Sequence, residues 1–368
     1  MLNVLFIHNS VPEYRIEFWK ELSKLINLKL VITDSKTADK IYGLKTKTDG
    51  LNILYWNKKN SKKILNNIDL YDVVILPPID RLFEYKIAMK VKRVCLKNEV
   101  KCIYWTEKWE PSKSSQSVVK QIKNFIQKCM IKNVSRKVNR YIAAGSQSYK
   151  YLIEELGISK NKISIAYDSS TSPQSFQIKN LKEEFNLNSE GKIILFLGRL
   201  IHRKGCHVLI KACLPLLDAL NLYLFICGTG SQETELKKLS KLNKRIIFVG
   251  KVQPSMRRQY FTQADVFVLP SINEKGTIEA WGLTVNEALE CGTTVISTDA
   301  VGATYDLINK YNGFVVKNND LFELRNAIKD SLKRKFSSKN IKDEYQKFNV
   351  KEMSLSFYRA IKLCREQK

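Results

Sequence analysis

Apolar runs of five to seven residues alternate with amphipathic stretches along most of the chain. A short apolar run bounded by polar residues predicts a buried β-strand, whereas apolar residues at every third or fourth position predict a helix. Strands that alternate with helices in this way predict parallel sheets covered by helices on both faces. The predicted strands are residues 3–8, 28–33, 72–76, 101–105, 140–144, 162–168, 192–197, 222–227, 245–249, 265–269 and 293–297.

The polar segment 169–190, which contains a proline, interrupts this alternation and predicts a linker between two domains. A chain of 368 residues is also too long for one ordinary hydrophobic core. We therefore predict one doubly wound α/β domain at 1–168 and a second at 191–351. No G-x-G-x-x-G follows the first strand, so the first domain carries no dinucleotide-binding fingerprint.

Two glutamates lie eight positions apart just after the predicted strand 265–269. The pattern from Ile278 to Leu289 is helical with a break at Gly282, so Glu279 and Glu287 would flank a helix N-terminus. The free N–H groups of such a terminus bind anions, and a carboxylate accepts hydrogen bonds from hydroxyls. This spacing favours a ligand with hydroxyls at both ends and phosphates between them, such as a nucleotide-sugar. An amphipathic helix with solvated glutamates is the alternative.

A basic loop, G-R-L-I-H-R-K-G, follows the predicted strand 192–197. The glycine Gly198 lets the backbone approach a ligand closely, and the side chains of Arg199 and Lys204 suit a diphosphate. Two other residues of the loop, His202 and Arg203, are predicted to face solvent. The sequence therefore places positive charge directly after a strand and before a helix.

These two motifs resemble those of a known enzyme family. E-A-W-G-L-T-V-N-E-A-L resembles the E-x7-E signature of retaining glycosyltransferases of family 4, of the bacterial polysaccharide-biosynthesis type, and G-R-L-x-x-x-K-G resembles their phosphate loop. The resemblance implies the GT-B fold, in which two Rossmann-like domains with doubly wound parallel sheets face one another across a cleft. It also implies that the C-terminal helix, 352–368, crosses back onto the first domain. The matching motifs span 192–303, and the N-terminal half matches in overall plan only.

The same resemblance implies roles for the donor-site residues. Arg199 and Lys204 would hold the diphosphate, Glu287 the ribose hydroxyls and Glu279 the hydroxyls of the sugar. Between two loop glycines, Thr229 stands where many relatives have an acidic residue, which leaves the contact to the base open. The other predicted contacts to the nucleotide are Gly198, Gly228, Lys251, Val252, Gly282 and Leu283.

The N-terminal half supplies candidates for the acceptor side. The loop His8–Arg15 resembles the N-P-x-Y-R entry of a subset of polysaccharide glycosyltransferases, which implies that Tyr14 and Arg15 contact the acceptor or the donor phosphate. Packing at a helix N-terminus is the alternative for this loop. Glu107 follows a predicted strand and is a candidate for proton transfer from the acceptor hydroxyl. A glutamate that only supports the site is the alternative for Glu107.

The net charge of +26 indicates an anionic partner. Residues 1–168 hold 31 Lys+Arg against 16 Asp+Glu, a net charge of +15. Within them, the segment 116–138 combines an apolar stripe at helical spacing with basic residues over much of its remaining surface. Such a helix lies on an anionic membrane or packs on its own sheet. The predicted stripe comprises Val118, Val119, Ile122, Phe125, Ile126, Cys129, Met130, Val134 and Val138.

The cysteines and the N-terminal residues indicate the cellular location. The eight cysteines form no C-x-x-C and no histidine cluster accompanies them, which disfavours zinc and a disulfide framework and favours a reducing cytoplasm. The first residues form a predicted strand with neither a basic n-region nor a cleavage site, so no signal peptide is predicted. We predict a cytoplasmic protein that is peripheral at the inner face of the plasma membrane.

These observations predict a retaining, metal-independent glycosyltransferase. The donor would be a UDP- or GDP-linked sugar, and the acceptor a hydroxyl of a polysaccharide or lipid-linked oligosaccharide of the capsule, O-antigen or exopolysaccharide type. No cofactor or metal is predicted, since basic side chains take the place of a D-x-D metal site, and front-face attack is favoured for retention. The alternatives are an epimerase or phosphorylase of the same fold, an inactive sugar-nucleotide-binding scaffold, or a basic nucleic-acid-binding protein. No zinc finger or RNP-type pattern supports the last, and no nucleic-acid partner is predicted.

Overall fold

The computed structural model describes residues 1–34, 50–171, 179–334 and 336–367. The chain divides into two compact units. Unit 1 comprises Met1–Trp109, Val118–Ser170 and Val350–Lys368, and unit 2 comprises Glu110–Ser117 and Thr171–Asn349. The chain therefore enters unit 2 briefly at 110–117 before it completes unit 1.

Unit 1 is built on a parallel sheet that has seven strands in the described part of the chain. The spatial order β3-β2-β1-β4-β5-β6-β7 reverses direction between β1 and β4, and in such sheets ligands bind beyond the carboxyl ends of the strands at this switch point. The strands are β1 (Asn3–His8), β2 (Asn27–Ile32), β3 (Ile53–Tyr55), β4 (Val73–Leu76), β5 (Lys101–Thr106), β6 (Arg140–Ala143) and β7 (Ile163–Ile165).

Helices cover both faces of this sheet. Because successive side chains of a strand point to opposite faces, Leu5 and Ile7 of β1 belong to one core cluster, and Val4 and Phe6 to the other. The helices within unit 1 are α1 (Glu13–Ser23), α2 (Lys58–Asn66), α3 (Leu82–Lys97), α4 (Val118–Ser135) and α5 (Ser146–Lys150), with a π-helical turn at Tyr151–Glu155.

Unit 2 contains a second parallel sheet, with six strands among the described residues. Its order, β10-β9-β8-β11-β12-β13, places the switch point between β8 and β11. The strands are β8 (Lys192–Leu197), β9 (Leu222–Cys227), β10 (Ile246–Gly250), β11 (Val266–Leu269), β12 (Thr294–Thr298) and β13 (Gly313–Val316). The helices are α6 (Leu181–Glu184), α7 (Cys206–Cys213), α8 (Glu233–Leu239), α9 (Arg257–Gln263), α10 (Leu283–Glu290), α11 (Thr304–Leu307), α12 (Leu321–Lys333) and α13 (Ser338–Tyr345).

The last helix, α14 (Val350–Glu366), completes the core of unit 1. It packs on α1 and β5, and the buried ring of Phe357 lies 4.8 Å from that of Phe18 and 5.3 Å from that of Trp105 between centroids. These aromatic side chains anchor the chain terminus to the same core face as Phe6. Removal of α14 would expose this face to water.

The observed elements differ from the predicted ones in five places. The three-residue strand β3 and the strand β13 are absent from the predicted set. The helix predicted from Ile278 begins at Leu283, because Glu279 forms a parallel bridge with Val301 instead of a helical turn. The segment 110–117 lies in unit 2 rather than in the predicted first domain. Within the predicted linker 169–190, Ser169 and Ser170 are buried and α6 is helical, while 172–178 lies outside the described residues.

The segment predicted as one amphipathic stripe has two different apolar faces. Ile131 and Val134 of α4 and the following Val138 are buried in the core of unit 1. Val118, Ile122 and Phe125, by contrast, are exposed. The single stripe predicted over 118–138 is therefore wrong, and the N-terminal half of α4 presents apolar side chains to solvent.

Candidate functional site

The basic loop of unit 2 lies at the switch point of its sheet. It follows β8 and ends at Gly205, which has φ of +70° and leads directly into α7. A Cβ at this position would lie 1.8 Å from the carbonyl oxygen of Pro270, at the end of β11. Only glycine fits, and the loop is thereby held against the segment that leads into the E-x7-E stretch.

Lys204 and Glu279 are in direct contact. The Lys204 Nζ lies 2.9 Å from Glu279 Oε2, and the Arg203 Nη1 donates to the same oxygen at 2.6 Å and to the carbonyl oxygen of Ile278 at 3.1 Å. The side chains of these three charged residues are only 11–17% exposed. The prediction that Arg203 faces solvent is therefore wrong, whereas His202 is half exposed and lies beside Glu274.

The two cations determine the charge state of Glu279. Burial alone would raise the pKa of its carboxyl group, but Lys204 and Arg203 lower that pKa to about 2. Glu279 is consequently ionised throughout the neutral range and can only accept hydrogen bonds. Its backbone is also fixed, since the Glu279 N–H donates to Ala300 O at 3.0 Å and its carbonyl accepts from the Gly302 N–H at 3.1 Å.

Gly282 turns the chain from this extended segment into α10. Its φ is +104°, and a Cβ would approach Val301 Cγ1 to 2.7 Å, so both the backbone conformation and the available space require glycine. Just before it, the Trp281 indole N–H donates to Asn286 Oδ1 at 2.9 Å inside the first turn of the helix. The N-terminus of α10, at Leu283, follows closely after Glu279, as the motif predicts.

Glu287 lies one turn into α10 with its side chain 3% exposed. Its Oε1 accepts a hydrogen bond from Arg257 Nη1, at the start of α9, at 3.1 Å. Arg257 is not among the residues predicted for the site. Its presence gives the buried carboxylate a cationic partner and orients it from a neighbouring helix.

The other predicted donor-site residues occupy adjacent loops. The turn after β9 packs on the basic loop: a Cβ on Gly228, which has φ of +144°, would lie 1.8 Å from Gly198 O. Arg199 is exposed, and in the described part of the chain its side chain has no ion pair. After β10, Lys251 is exposed and Val252 is half-buried.

The predicted acceptor-side residues form a separate cluster at the carboxyl ends of the unit 1 strands. The side chain of Arg15 is 1% exposed. Its Nη1 donates to Asp168 Oδ1, and its Nη2 donates to Asp168 Oδ2 at 2.6 Å and to Glu107 Oε1 at 2.6 Å. Its Cζ lies 4.8 Å from the ring centroid of Trp105. Arg15 is thus held by two carboxylates and an aromatic face, and its contact with a phosphate or an acceptor stays a prediction. Tyr14 is half-buried beside it.

This cluster changes the pKa of Glu107. The side chain of Glu107 is 35% exposed, whereas those of Arg15 and Asp168 are buried. Burial and the negative charge of Asp168 raise the pKa of Glu107 to about 7, against the opposing effect of Arg15. Burial would lower the pKa of Arg15, but Asp168 and Glu107 raise it, so Arg15 stays charged. Glu107 can therefore take up and release a proton near neutral pH.

Three functional candidates escaped the sequence analysis. Arg203 and Arg257 stand among many other basic residues, and Asp168 ends the predicted strand 162–168 without a recognisable motif. Each is identified only by its partner, which lies between 30 and 153 positions away in the chain. For Arg203 and Arg257, the available signal was a positive charge complementary to the motif glutamates. That charge did not distinguish the two residues from the other arginines of the chain.

The described residues offer neither a metal-binding cluster nor a membrane-spanning helix. No group of three or more His, Cys, Asp or Glu side chains in these residues is arranged to hold a metal ion. No helix that the structure describes is long and apolar enough to cross a membrane.

Comparisons with known proteins show similarity to glycosyltransferases. The family described as glycosyl transferases group 1 matches residues 177–348. An uncharacterized glycosyltransferase of Methanocaldococcus jannaschii is 27% identical over 218 residues, 54% of this chain and 54% of that protein. The lipopolysaccharide core biosynthesis glycosyltransferase LpsE of Rhizobium meliloti is 29% identical over 143 residues, 38% of this chain and 39% of that protein. The chain thus spans about half of the length of the first relative and less than half of the second.

The fold comparison covers both units. The crystal structure of Anabaena HepE in complex with UDP and glucose has a TM-score of 0.72 to this chain and is 16% identical to it, covering 99% of this chain and 100% of HepE. This similarity confirms the predicted fold class, two parallel-sheet α/β units of the GT-B type.

Proposed function

We propose that this chain is a retaining, metal-independent glycosyltransferase that moves a sugar from a nucleotide-sugar to a hydroxyl of a glycan acceptor. The direct contact of Lys204 with Glu279, at the switch point of the unit 2 sheet, is the observation that carries the proposal. It brings the basic loop and the E-x7-E stretch, which are separated by some seventy residues in the chain, into one site. The similarity of residues 177–348 to glycosyl transferases supports it.

The site supplies the charges that a departing nucleoside diphosphate requires. Lys204, the exposed Arg199 and the free N–H groups at the start of α10 provide positive potential at one sheet edge. As the bond to the sugar breaks, negative charge develops on the diphosphate, and cations already in place stabilise that transition state. In this proposal the two basic side chains do the work for which other transferases use a metal ion.

The two motif glutamates would bind the hydroxyls at either end of the donor. Glu279 is ionised and can accept hydrogen bonds from the sugar, and Glu287 can accept them from the ribose. Each carboxylate already has a basic partner, so its negative charge is balanced when no donor is bound. On donor binding, we expect Lys204 to share its charge between Glu279 and the diphosphate, with Arg203 keeping the carboxylate in place.

The acceptor we propose is a polysaccharide or a lipid-linked oligosaccharide, used at a membrane surface. The similarity to LpsE, named for lipopolysaccharide core biosynthesis, favours this class, and HepE is a fold relative solved with UDP and glucose. The proposed donor is accordingly a UDP-sugar, or a GDP-sugar as the second choice. We propose front-face attack, in which the hydroxyl approaches on the side from which the diphosphate leaves.

Glu107 is proposed to accept the acceptor's proton, and this gives a pH dependence. With a pKa near 7, Glu107 is protonated below that pH and ionised above it, so the rate should rise as pH increases through about 7. Glu107→Gln should lower kcat by about 10²-fold and abolish this rise. The measurement is kcat against pH from 5.5 to 9 under saturating donor.

A glutamate at the other end of the same strand provides the control for this pH profile. Glu99 is exposed and precedes β5, so Glu99→Gln should leave the rate and its pH dependence unchanged. If Glu107→Gln retains the wild-type profile, Glu107 only supports the cluster with Arg15.

A nucleotide screen tests the donor assignment directly. A ligand that binds only the folded protein raises the apparent melting temperature, by an amount that grows with its concentration over Kd. We expect UDP and one UDP-sugar to raise the melting temperature, and CMP-sugars not to, in a thermal-shift series of UDP-, GDP-, dTDP- and CMP-sugars. No shift with any nucleotide, together with no sugar release, would rule out the donor site.

A further inference from the structure

The N-terminal half of α4 presents a row of large apolar side chains to solvent. They are 53–72% exposed, whereas Ile131 and Val134 of the same helix are buried. We call this set the α4 apolar face, and it consists of Val118, Val119, Ile122, Phe125 and Ile126. Large contiguous apolar surface of this kind marks an interaction site in a folded protein.

The exposure follows from the position of each residue around the helix. At about 100° per residue, the α4 apolar face falls within one arc of about 120°. The buried residues Asn124, Ile131 and Val134 lie on the opposite side, which packs on unit 1. The N-terminal half of α4 thus reverses the usual arrangement of a surface helix. Its packed side contains the buried polar residue Asn124, and its solvent-facing side is apolar. Packing within the described part of unit 1 does not account for the outer side.

The neighbouring helix also exposes apolar side chains. At the start of α3, Leu82 is 57% exposed and Phe83 is 51% exposed. The two helices are joined there, since Gln127 Nε2 donates to Ile79 O at 2.7 Å and Asn133 Nδ2 donates to Tyr85 Oη at 2.6 Å. Two adjacent helices therefore carry exposed apolar residues on the same unit.

Basic side chains surround these apolar residues. The segment 81–137, which contains both helices, holds 15 Lys+Arg against 4 Asp+Glu, a net charge of +11. Of the acidic residues, Glu84 is buried. The exposed basic residues on or next to the two helices are Arg81, Lys86, Lys90, Arg93, Lys97, Lys123, Lys132, Arg136 and Lys137.

We infer that the α4 apolar face, with Leu82 and Phe83, lies in the interface of an anionic lipid bilayer. Apolar side chains would enter the boundary between headgroups and acyl chains, while the lysines reach the phosphates around them. A second copy of this chain fits less well, because two such surfaces would bring like charges together. This inference deepens the proposed function by placing the enzyme where a lipid-linked acceptor is found. Lipid binding can nevertheless be measured without turnover.

Vesicle co-sedimentation of the full chain tests the inference. We expect binding to vesicles of phosphatidylcholine mixed with phosphatidylglycerol, weaker binding at high salt, and little binding to phosphatidylcholine alone. Ile122→Ser combined with Phe125→Ser should weaken binding at least about tenfold, because two exposed apolar side chains no longer leave water. Lys123→Glu combined with Lys132→Glu should weaken binding to the anionic vesicles by a similar factor.

Exposed apolar residues of unit 2 provide the matched control. Leu242 and Phe322 are 87% and 71% exposed, and their replacement by serine should leave vesicle binding unchanged. The positions changed in α4 are also exposed, so the melting temperature and the UDP-induced thermal shift should match those of the wild type in every variant. A variant that loses lipid binding but keeps the UDP shift separates the membrane surface from the donor site.

Two results would overturn the inference. Wild-type binding to neither vesicle, or undiminished binding by the Ile122→Ser/Phe125→Ser variant, would show that this surface does not meet lipid. If light scattering shows a wild-type dimer that the same variant converts to a monomer, the surface is covered by a second copy of the chain instead.

Discussion

Glu287→Ala is expected to lower kcat/KM for the nucleotide-sugar by about 10²-fold, in a protein that remains folded. The change removes the carboxylate that is proposed to accept hydrogen bonds from the ribose. It also leaves Arg257, whose Nη1 lies 3.1 Å from Glu287 Oε1, without this partner. Since the lost contacts are made to the bound donor as well as to the transition state, most of the effect should appear as a higher KM. Steady-state kinetics and UDP affinity by calorimetry measure both parts.

The same helix offers a control for this change. Glu290 is three residues further along α10 and is half-buried rather than buried. Glu290→Ala should therefore retain donor affinity within about threefold, as surface substitutions usually do. If Glu287→Ala shows wild-type affinity and turnover while folded, the donor site is not at α10.

Lys204→Met is expected to lower kcat by about 10²- to 10³-fold. Methionine keeps most of the length of the side chain but removes the charge that would stabilise the departing diphosphate. Glu279 would still be held by Arg203 Nη1 at 2.6 Å, so the carboxylate that is proposed to bind the sugar stays in place, and KM should change less than kcat. Single-turnover kinetics with saturating donor measures the chemical step.

Arg203→Met separates charge stabilisation from positioning. If Arg203 only holds Glu279, this variant should lose about tenfold in kcat/KM, mainly through KM, because Glu279 is still paired with Lys204 at 2.9 Å. Equal losses of kcat in the Lys204→Met and Arg203→Met variants would contradict the assignment of the diphosphate to Lys204. Lys211→Met, on the exposed side of α7, should have no effect.

Much of the fold could be predicted because its local signals were strong. The buried strands β8 and β9 are continuous apolar runs, and a turn residue or a glycine follows each of them. The exceptions were local as well. The strand β3 has three residues, too few to show a period, and the helix α10 within the E-x7-E stretch begins later than its pattern predicts. The start of α10 is set by Gly282, whose positive φ ends the extended segment that Glu279 forms beside Val301.

The segment 116–138 shows a second limit of what a hydrophobic pattern can predict. A helical period identifies residues that share a face, but it does not state what covers that face. In α4, Val134 and Phe125 both fit apolar spacing, yet one is buried and the other is 66% exposed. The outcome depends on where the neighbouring helix and sheet end, and this is set by the rest of unit 1.

The sequence by itself determined the alternation of strands and helices, the two-unit plan and the motif residues of the proposed donor site, because those depend on local periodicity and spacing. Only the tertiary structure decided the partners: Arg203 and Lys204 on Glu279, Arg257 on Glu287, and Arg15 between Asp168 and Glu107. Such pairs join residues that are far apart in the chain, and a chain with 62 basic side chains offers many equivalent cations to each carboxylate. Burial and geometry select among these cations, and both arise only when the strands assemble into sheets.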